Sequence, residues 1–137
     1  MTECLFCKIA KKEIPSQDVY EDAETFAFLD IHPRAAGHVM VIPKEHAETI
    51  LALDESTIKP LFAAVKKVTA ALKRAFNPDG FTIGINHGAA SGQAIDHIHV
   101  HIIPRWRNDG GGSLHSVVQN PPEESLDEIR DRIRASI

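Results

Sequence analysis

The chain lacks the features that direct a protein to a membrane, to nucleic acid or to an oxidising compartment. None of its apolar runs approaches the roughly 20 residues that a transmembrane helix requires. Its first residues, which include Glu3, lack the apolar stretch of a signal peptide. The formal net charge of −4 gives no general attraction for nucleic acid, and two cysteines among 137 residues make no disulfide framework. From the length and these absences we expect one cytoplasmic domain.

The most informative feature is a run of three alternating histidines, His97, His99 and His101, within the otherwise apolar segment 97–103. The β-branched residues of this segment predict a strand, on which side chains two residues apart point to the same face. The three imidazoles are therefore expected on one face, with the apolar residues turned to the core. Histidine changes charge near neutral pH, binds metals and acts as a nucleophile, so this row predicts a functional site.

The histidine segment resembles the signature of the histidine-triad (HIT) nucleotide-binding family, His-x-His-x-His followed by two apolar residues. Other segments resemble the same family and occur in its order: the opening at 6–15, Asp-Ile-x-Pro-x-Ala-x-Gly-His at 30–38, Ile-Pro-Lys-x-His at 42–46 and Gly-Gln at 92–93. The resemblance covers residues 2–108, which are predicted to form one HIT-like nucleotide-binding domain. Residues 109–137 are predicted to form a C-terminal extension made of a loop and an amphipathic helix.

The order of the predicted elements favours an α+β fold with a largely antiparallel sheet, and the resemblance implies five strands. Apolar residues at three- and four-residue steps predict one long helix that begins at Asp54 or Ser56 and ends near Phe76. A short helix is predicted at 4–11, and strands are predicted at 19–21, 25–29, 37–42, 81–86 and from residue 97. In the extension, a helix beginning at Ser125 is predicted to turn its apolar residues inward, namely Leu126, Ile129 and Ile133.

The family resemblance implies a nucleotide hydrolase that acts on a phosphoramidate or phosphoanhydride, as an adenosine 5'-monophosphoramidase or a dinucleoside polyphosphate hydrolase does. His99 is the implied nucleophile, which would form a nucleotidyl-histidine intermediate that water then hydrolyses. A neutral imidazole is a competent nucleophile at pH 7, and covalent catalysis divides one difficult displacement into two easier ones. His101 and His38 are expected to stabilise charge on the phosphate oxygens. No cofactor is needed for this chemistry.

The same resemblance implies a site for a purine nucleotide of the AMP type. Asp30 is expected to accept hydrogen bonds from the ribose hydroxyls, and an apolar slot is expected to hold the base. The predicted substrate-binding residues are Asp30, Ile31, Leu5, Phe6, Ile9, Phe28, Asn86, Gly92 and Gln93. Burial in the core is the alternative for Ile9 and Phe28, and a polar strand end is the alternative for Asn86. Ala94 replaces a Ser or Thr of many relatives, which leaves protonation of the leaving group to a histidine or to water.

The two cysteines, Cys4 and Cys7, form a Cys-x-x-Cys pair that supplies half of a tetrahedral zinc site. The resemblance to bacterial and archaeal HIT proteins implies His46 and His97 as the other two ligands. We therefore predict a structural zinc bound by Cys4, Cys7, His46 and His97. Two small buried cysteines without a metal are the alternative.

Two other functions are compatible with the triad. One is a metallohydrolase in which all three histidines bind a catalytic metal, although three residues along one strand spread over more than a dozen ångströms at roughly 3.3 Å per residue. The other is a non-catalytic module that binds a nucleotide or a partner protein. The resemblance also implies a homodimer joined across the long helix and an adjacent strand. The net charge and the lack of a long apolar run predict neither nucleic acid nor a membrane as a partner.

Overall fold

Three α-helices and five strands lie within residues 3–137, the part of the chain that this computed structural model describes. The helices are α1 (Leu5–Ala10), α2 (Glu55–Phe76) and α3 (Leu126–Ser136), and the strands are β1 (Asp18–Glu21), β2 (Thr25–Leu29), β3 (Val39–Pro43), β4 (Gly80–Gly84) and β5 (Val100–Arg105). Residue 2, where the predicted domain begins, lies outside the described residues. None of the helices within residues 3–137 is long and apolar enough to cross a membrane.

The five strands form one sheet in the order β1-β2-β3-β5-β4, and every neighbouring pair is antiparallel. The predicted α+β fold with a five-stranded antiparallel sheet is thereby confirmed. Strands β1 and β2 form a hairpin, in whose turn the Asp22 carboxylate accepts the backbone N–H groups of Glu24 and Thr25 at 2.9 and 2.8 Å. Such a local acceptor satisfies the turn and fixes where the hairpin reverses.

The long helix α2 covers one face of the sheet, as its periodicity predicts. Its N-cap is Asp54, whose carboxylate accepts the Ser56 backbone N–H at 2.8 Å, and it ends at Asn77 in the left-handed conformation. Its buried stripe packs against apolar side chains of β2, β3 and β5. The opposite face carries a second cluster, in which α1 packs on β2 and β3. The sheet therefore separates α2 from α1.

The histidine segment departs from the prediction at its start, because β5 begins at Val100 rather than at residue 97. The backbone N–H of Ile98 donates to the Ala47 carbonyl, in the loop after β3, at 2.7 Å instead of joining the sheet. The alternation nevertheless continues through this stretch, since Ile98, Val100 and Ile102 are all fully buried in the cluster beneath α2. The histidines between them consequently lie on the other face, as predicted.

Two further expectations about boundaries and burial are wrong. Strand β3 begins at Val39, later than predicted, and includes Pro43, which pairs with Thr25 at the last position of the strand. A proline can occupy that position because its missing N–H costs the ladder little at a strand end. In α3, Leu126 and Ile133 are 78% and 56% exposed rather than turned inward. Helical periodicity identifies an apolar stripe but does not reveal whether another element covers it.

Candidate active site

His99 is held so that one of its ring nitrogens is free to attack. Its Nδ1–H donates to the backbone carbonyl of His97 at 2.8 Å, because that carbonyl oxygen can only accept. The proton is therefore on Nδ1 and the lone pair is on Nε2. The ring is buried, and the edge-to-face contact with Phe6 at a centroid distance of 5.1 Å restricts its rotation. His99 thus has the tautomer and the orientation that a nucleophile requires.

His101 receives the opposite tautomer through a chain of hydrogen bonds that starts on the main chain. The backbone N–H of Arg34 donates to Nδ1 of His38 at 3.1 Å, so the proton of His38 is on Nε2. That Nε2–H donates to Nδ1 of His101 at 2.9 Å, which leaves the proton of His101 on its own Nε2. His101 therefore presents an N–H donor next to His99, whose ring centroid is 4.9 Å away.

The surroundings of His101 and His38 keep both imidazole rings neutral. Burial, together with the neighbouring His99 and His38, lowers the pKa of His101 to about 4, although Asp30 acts in the other direction. Burial also lowers the pKa of His38, and the nearby Arg34 charge adds to that effect while Asp30 opposes it. Both imidazoles are uncharged at pH 7, which is what the alternation of donors and acceptors in the chain requires.

The predicted ribose ligand, Asp30, lies beside the histidines. Its Oδ2 is 3.5 Å from Nε2 of His38, and its Oδ1 accepts the backbone N–H of His32 at 2.9 Å. The adjacent Ile31 is almost fully exposed. Among the residues predicted to form the base slot, Phe6, Ile9 and Phe28 are buried together in the cluster on the triad's side of the sheet. Leu5 is 40% exposed beside that cluster.

The loop before the triad brings Gly92 close to Asn86. The Gln93 side chain of the same loop forms hydrogen bonds within the protein. The Gln93 amide accepts the Gly88 N–H at 2.8 Å and donates to the Glu48 carbonyl at 2.7 Å, which joins this loop to another. Gly92 has a φ of +101°, and a Cβ there would lie 3.7 Å from the Asn86 amide nitrogen. The glycine is needed for this backbone conformation rather than for close packing.

The four predicted zinc ligands meet at one point behind the triad. One donor atom from each of Cys4, Cys7, His46 and His97 lies within 4.8 Å of all the others. Nδ1 of His97 is 3.4 Å from Sγ of Cys4 and 3.5 Å from Sγ of Cys7, while Nδ1 of His46 is 3.4 Å from Sγ of Cys7. These spacings suit a tetrahedral ion with ligand bonds of about 2.0–2.3 Å.

The protonation of this cluster also suits a metal. Nε2–H of His97 donates to the Pro43 carbonyl at 2.8 Å, which leaves the Nδ1 lone pair directed at the sulfurs. Burial lowers the pKa of His97 to about 4, so the ring is neutral. Burial and the adjacent Cys4 raise the pKa of Cys7 to about 11 without a cation, and a bound cation would reverse that effect. Two sulfurs and two neutral imidazoles are a donor set that fits Zn²⁺.

Comparison with known proteins assigns the chain to a family. A sequence profile of the HIT domain matches residues 11–108. This chain belongs to the HIT domain family. It is 42% identical to an uncharacterized HIT-like protein of Borreliella burgdorferi over the whole of both chains. It is 40% identical to an adenosine 5'-monophosphoramidase of Candida albicans, covering 98% of this chain and 91% of that relative.

The HIT fold is equally clear from solved structures. The crystal structure of a HIT family protein from Bacillus anthracis superposes on this chain with a TM-score of 0.87 at 39% identity, covering 98% of this chain and 97% of the other. Within this HIT domain, sequence reasoning missed two contacts that shape the site. These are the Arg34 backbone donor to His38 and the Phe6 ring edge against His99. A main-chain donor has no sequence signal, and the base-slot motif gives Phe6 a different role.

Proposed function

We propose that this HIT protein hydrolyses phosphoramidate or phosphoanhydride derivatives of a purine nucleotide through a nucleotidyl-His99 intermediate. The observation that carries the proposal is the fixed tautomer of His99, whose Nε2 lone pair is free while its Nδ1–H is bound to the His97 carbonyl. The name of the Candida albicans relative, an adenosine 5'-monophosphoramidase, supports the substrate class. The name of that relative also favours AMP as the nucleotide portion of the substrate.

The reaction proceeds in two displacements at the α-phosphorus. In the first, Nε2 of His99 forms a bond to phosphorus as the bond to the leaving nitrogen or oxygen breaks, and the leaving atom takes that electron pair. His101, with its Nε2–H, stabilises the phosphoryl oxygens, and a solvent water protonates the leaving atom, because Ala94 has no hydroxyl and the N–H of a neutral imidazole is too weak an acid to do so. In the second, water attacks phosphorus and gives up a proton to solvent, the bond to His99 breaks with its electron pair returning to Nε2, and the nucleoside monophosphate leaves.

The geometry favours this mechanism over a metallohydrolase built on the triad. The three imidazoles have separate partners: Nδ1 of His97 faces the cysteines, Nδ1 of His99 binds a carbonyl, and Nδ1 of His101 accepts from His38. They do not direct three nitrogens to a common point. The non-catalytic module would use the same pocket without turnover, so the experiment below distinguishes it.

We further propose that zinc binds to the cluster of Cys4, Cys7, His46 and His97 and has a structural role. It would tie α1, which contains Cys7 and is capped by Cys4, to the segment that carries His99. The chain's own residues then perform the chemistry, with His97 offering its carbonyl to the nucleophile. The cytoplasmic location expected for a protein with free thiols remains part of this proposal.

Mixing the protein with an AMP phosphoramidate and quenching in milliseconds is expected to give an adduct of one AMP per chain in an intact mass spectrum. The adduct should be labile in acid, as a phosphorus–nitrogen bond to imidazole is, and absent from His99→Ala. Turnover by the wild type with no adduct at any quench time would contradict the covalent mechanism. AMP binding with neither adduct nor turnover would instead favour the non-catalytic module.

A homodimer through α2 and β4 is the proposed assembly. Strand β4 is an edge of the sheet, and Phe62 and Ile83, which are 40% and 39% exposed, line an apolar groove of about 520 Å³ between it and α2. An unpaired edge next to exposed apolar side chains is a surface suited to a second copy.

We therefore expect the wild type to sediment as a dimer and Ile83→Lys to sediment as a monomer, because the substitution buries an unpaired charge at the contact. The matched control is Leu51→Lys, which changes an aliphatic residue that is 85% exposed elsewhere. It should leave the dimer intact. A wild type that is still monomeric at a protein concentration about 100 times that of the activity assay would contradict the proposed dimer without affecting the proposed reaction.

A further inference from the structure

The two cysteines are close enough in the first turn of α1 to form a disulfide. Cys4 is the N-cap of α1, and the backbone N–H of Cys7 donates to Cys4 Sγ at 3.3 Å. A helix radius of about 2.3 Å and a rise of about 1.5 Å per residue put Cα atoms three residues apart at about 5 Å. Disulfides need a Cα separation of about 4.4–6.8 Å, so a local adjustment of one helical turn can bridge this pair.

Both sulfurs can be reached by a small oxidant. Cys4 and Cys7 are free and partly exposed, and the neighbouring His46 is exposed. A zinc ion bound between these residues would hold both sulfurs as thiolates, which is the form of cysteine that reacts with a hydroperoxide. A hydroperoxide can therefore attack this cluster without opening the core.

Phe6, which lies between the two cysteines in the sequence, touches the proposed nucleophile. Its ring meets the His99 ring edge to face at a centroid distance of 5.1 Å, and the His97 ring at 6.1 Å. The Phe6 side chain is buried, and its ring also packs edge to face on Phe28 at 5.3 Å. A bridge across residues 4–7 would enclose Phe6, so a change in this turn is transmitted to the His99 ring.

A second connection runs through His97, but it does not depend on a metal. Nδ1 of His97 faces both sulfurs, at 3.4 and 3.5 Å, while its carbonyl oxygen accepts the Nδ1–H of His99 at 2.8 Å. The Nε2–H of His97 also donates to the Pro43 carbonyl at 2.8 Å. A reduced protein without zinc therefore keeps the His97 carbonyl in place. The disulfide, which moves Phe6, is the change that reaches His99.

We infer that Cys4 and Cys7 are a redox modification site, at which a hydroperoxide forms a disulfide, displaces zinc and slows the reaction at His99. One thiolate attacks the peroxide, the O–O bond breaks, and a sulfenic acid and one alkoxide or hydroxide form. The other thiolate attacks that sulfur, the S–O bond breaks, and hydroxide leaves. Two electrons pass from the thiolates to the peroxide, and Zn²⁺ is released because the bridged sulfurs have lost their negative charge.

The slower turnover in this inference rests on the proposed function, and the zinc release rests on the proposed metal site, whereas the disulfide itself depends on neither. Disulfides in a reducing compartment are usually transient and have catalytic or sensing roles. The modification is accordingly expected to be reversible by a dithiol, which exchanges its own sulfurs for the bridge.

The test treats the zinc-loaded wild type with hydrogen peroxide, removes the peroxide with catalase and follows three quantities. The intact mass should fall by two hydrogen atoms, whereas methionine oxidation would raise it. A metal indicator should report one released equivalent of zinc. Single-turnover hydrolysis of an AMP phosphoramidate should slow at least about tenfold, because a displacement of about 1 Å can cost about 100-fold. A dithiol with added zinc should reverse all three changes.

Two controls separate the disulfide from its side effects. Cys4→Ser cannot form the bridge, so peroxide should neither remove two hydrogens from it nor slow it relative to its own untreated rate. The wild type freed of zinc by a chelator and kept reduced should stay within about threefold of the loaded rate, because the Pro43 carbonyl still holds His97.

Four results would overturn the inference. They are a wild type that keeps both hydrogens, a disulfide formed with no change in rate, an equal slowing of treated Cys4→Ser, and an equal slowing of the reduced zinc-free protein. If the untreated wild type gives neither adduct nor turnover, the proposed function has failed. The intact mass then still decides whether the disulfide forms.

Discussion

Replacing His99 with asparagine is expected to lower kcat for an AMP phosphoramidate by at least about 10³-fold while nucleotide binding persists. Asparagine retains an N–H that can donate to the His97 carbonyl, so the local backbone keeps its partner. The lone pair of its amide nitrogen is delocalised into the carbonyl group, so this nitrogen cannot attack phosphorus. The nucleoside contacts expected at Asp30 and Ile31 are unchanged, so the Kd for AMP should change less than about threefold.

The measurement is single-turnover hydrolysis with enzyme in excess, together with calorimetric titration of AMP. The matched control is His115→Asn, which changes an exposed histidine in the C-terminal segment and should retain wild-type turnover. Circular dichroism and the melting temperature report whether the variant is folded. His99→Asn that is folded, binds AMP and keeps more than a tenth of the wild-type rate would remove His99 from the role of nucleophile.

Replacing Cys7 with serine is expected to abolish stoichiometric zinc binding and to lower the free energy of unfolding by about 4 kcal/mol. This is the stabilisation that a ligand gives when its free concentration exceeds its Kd about a thousandfold. For a domain of this size the change corresponds to a fall of roughly 14 °C in the melting temperature. The reason is geometric: Cys7 Sγ is the donor closest to His46 and also contacts His97, so its loss opens the tetrahedron.

Metal content by mass spectrometry and thermal melting with and without added zinc check this expectation. His46→Ala is a second variant, since His46 is exposed and its truncation leaves no core cavity. It should lose zinc as Cys7→Ser does, whereas His32→Ala, at an exposed histidine outside the cluster, should retain one equivalent. One full equivalent of zinc on Cys7→Ser, or none on the zinc-loaded wild type, would contradict the proposed metal site.

The elements that sequence reasoning predicted well are those specified by local pattern. Helix α2 follows from its apolar steps and from Asp54 at its start, because both act within one or two turns. The alternation of histidines with Ile98 and Val100 likewise places them on opposite faces of the extended segment. It does so whether the backbone bonds to the sheet or to a loop. The start of β5 was missed because it depends on Ala47, a residue of a distant loop that takes the Ile98 N–H out of the sheet.

In the candidate site, too, some contacts could be predicted from the sequence and others could not. The family resemblance implied that His46 and His97 join the cysteines, and the donor atoms do meet. Gln93 was predicted to bind the substrate, and in this structure its side-chain amide donates to the Glu48 carbonyl, 45 residues away. Its partner is a main-chain group, and main-chain carbonyls are identical at every position of a sequence. The exposure of Leu126 was unpredictable for a similar reason, since a stripe of apolar residues does not identify the surface that would cover it.

The two reactive histidines have almost identical sequence surroundings, yet the fold makes them chemical opposites. An imidazole can exchange its donor and acceptor ends, whereas a peptide carbonyl can only accept and a peptide N–H can only donate. The His97 carbonyl and the Arg34 amide therefore break a symmetry that the side chains alone would leave intact. Every side-chain substitution except Arg34→Pro preserves those two groups, so alanine scanning does not test the atoms that assign the roles. Replacing the Arg34 amide by an ester would reach one of them.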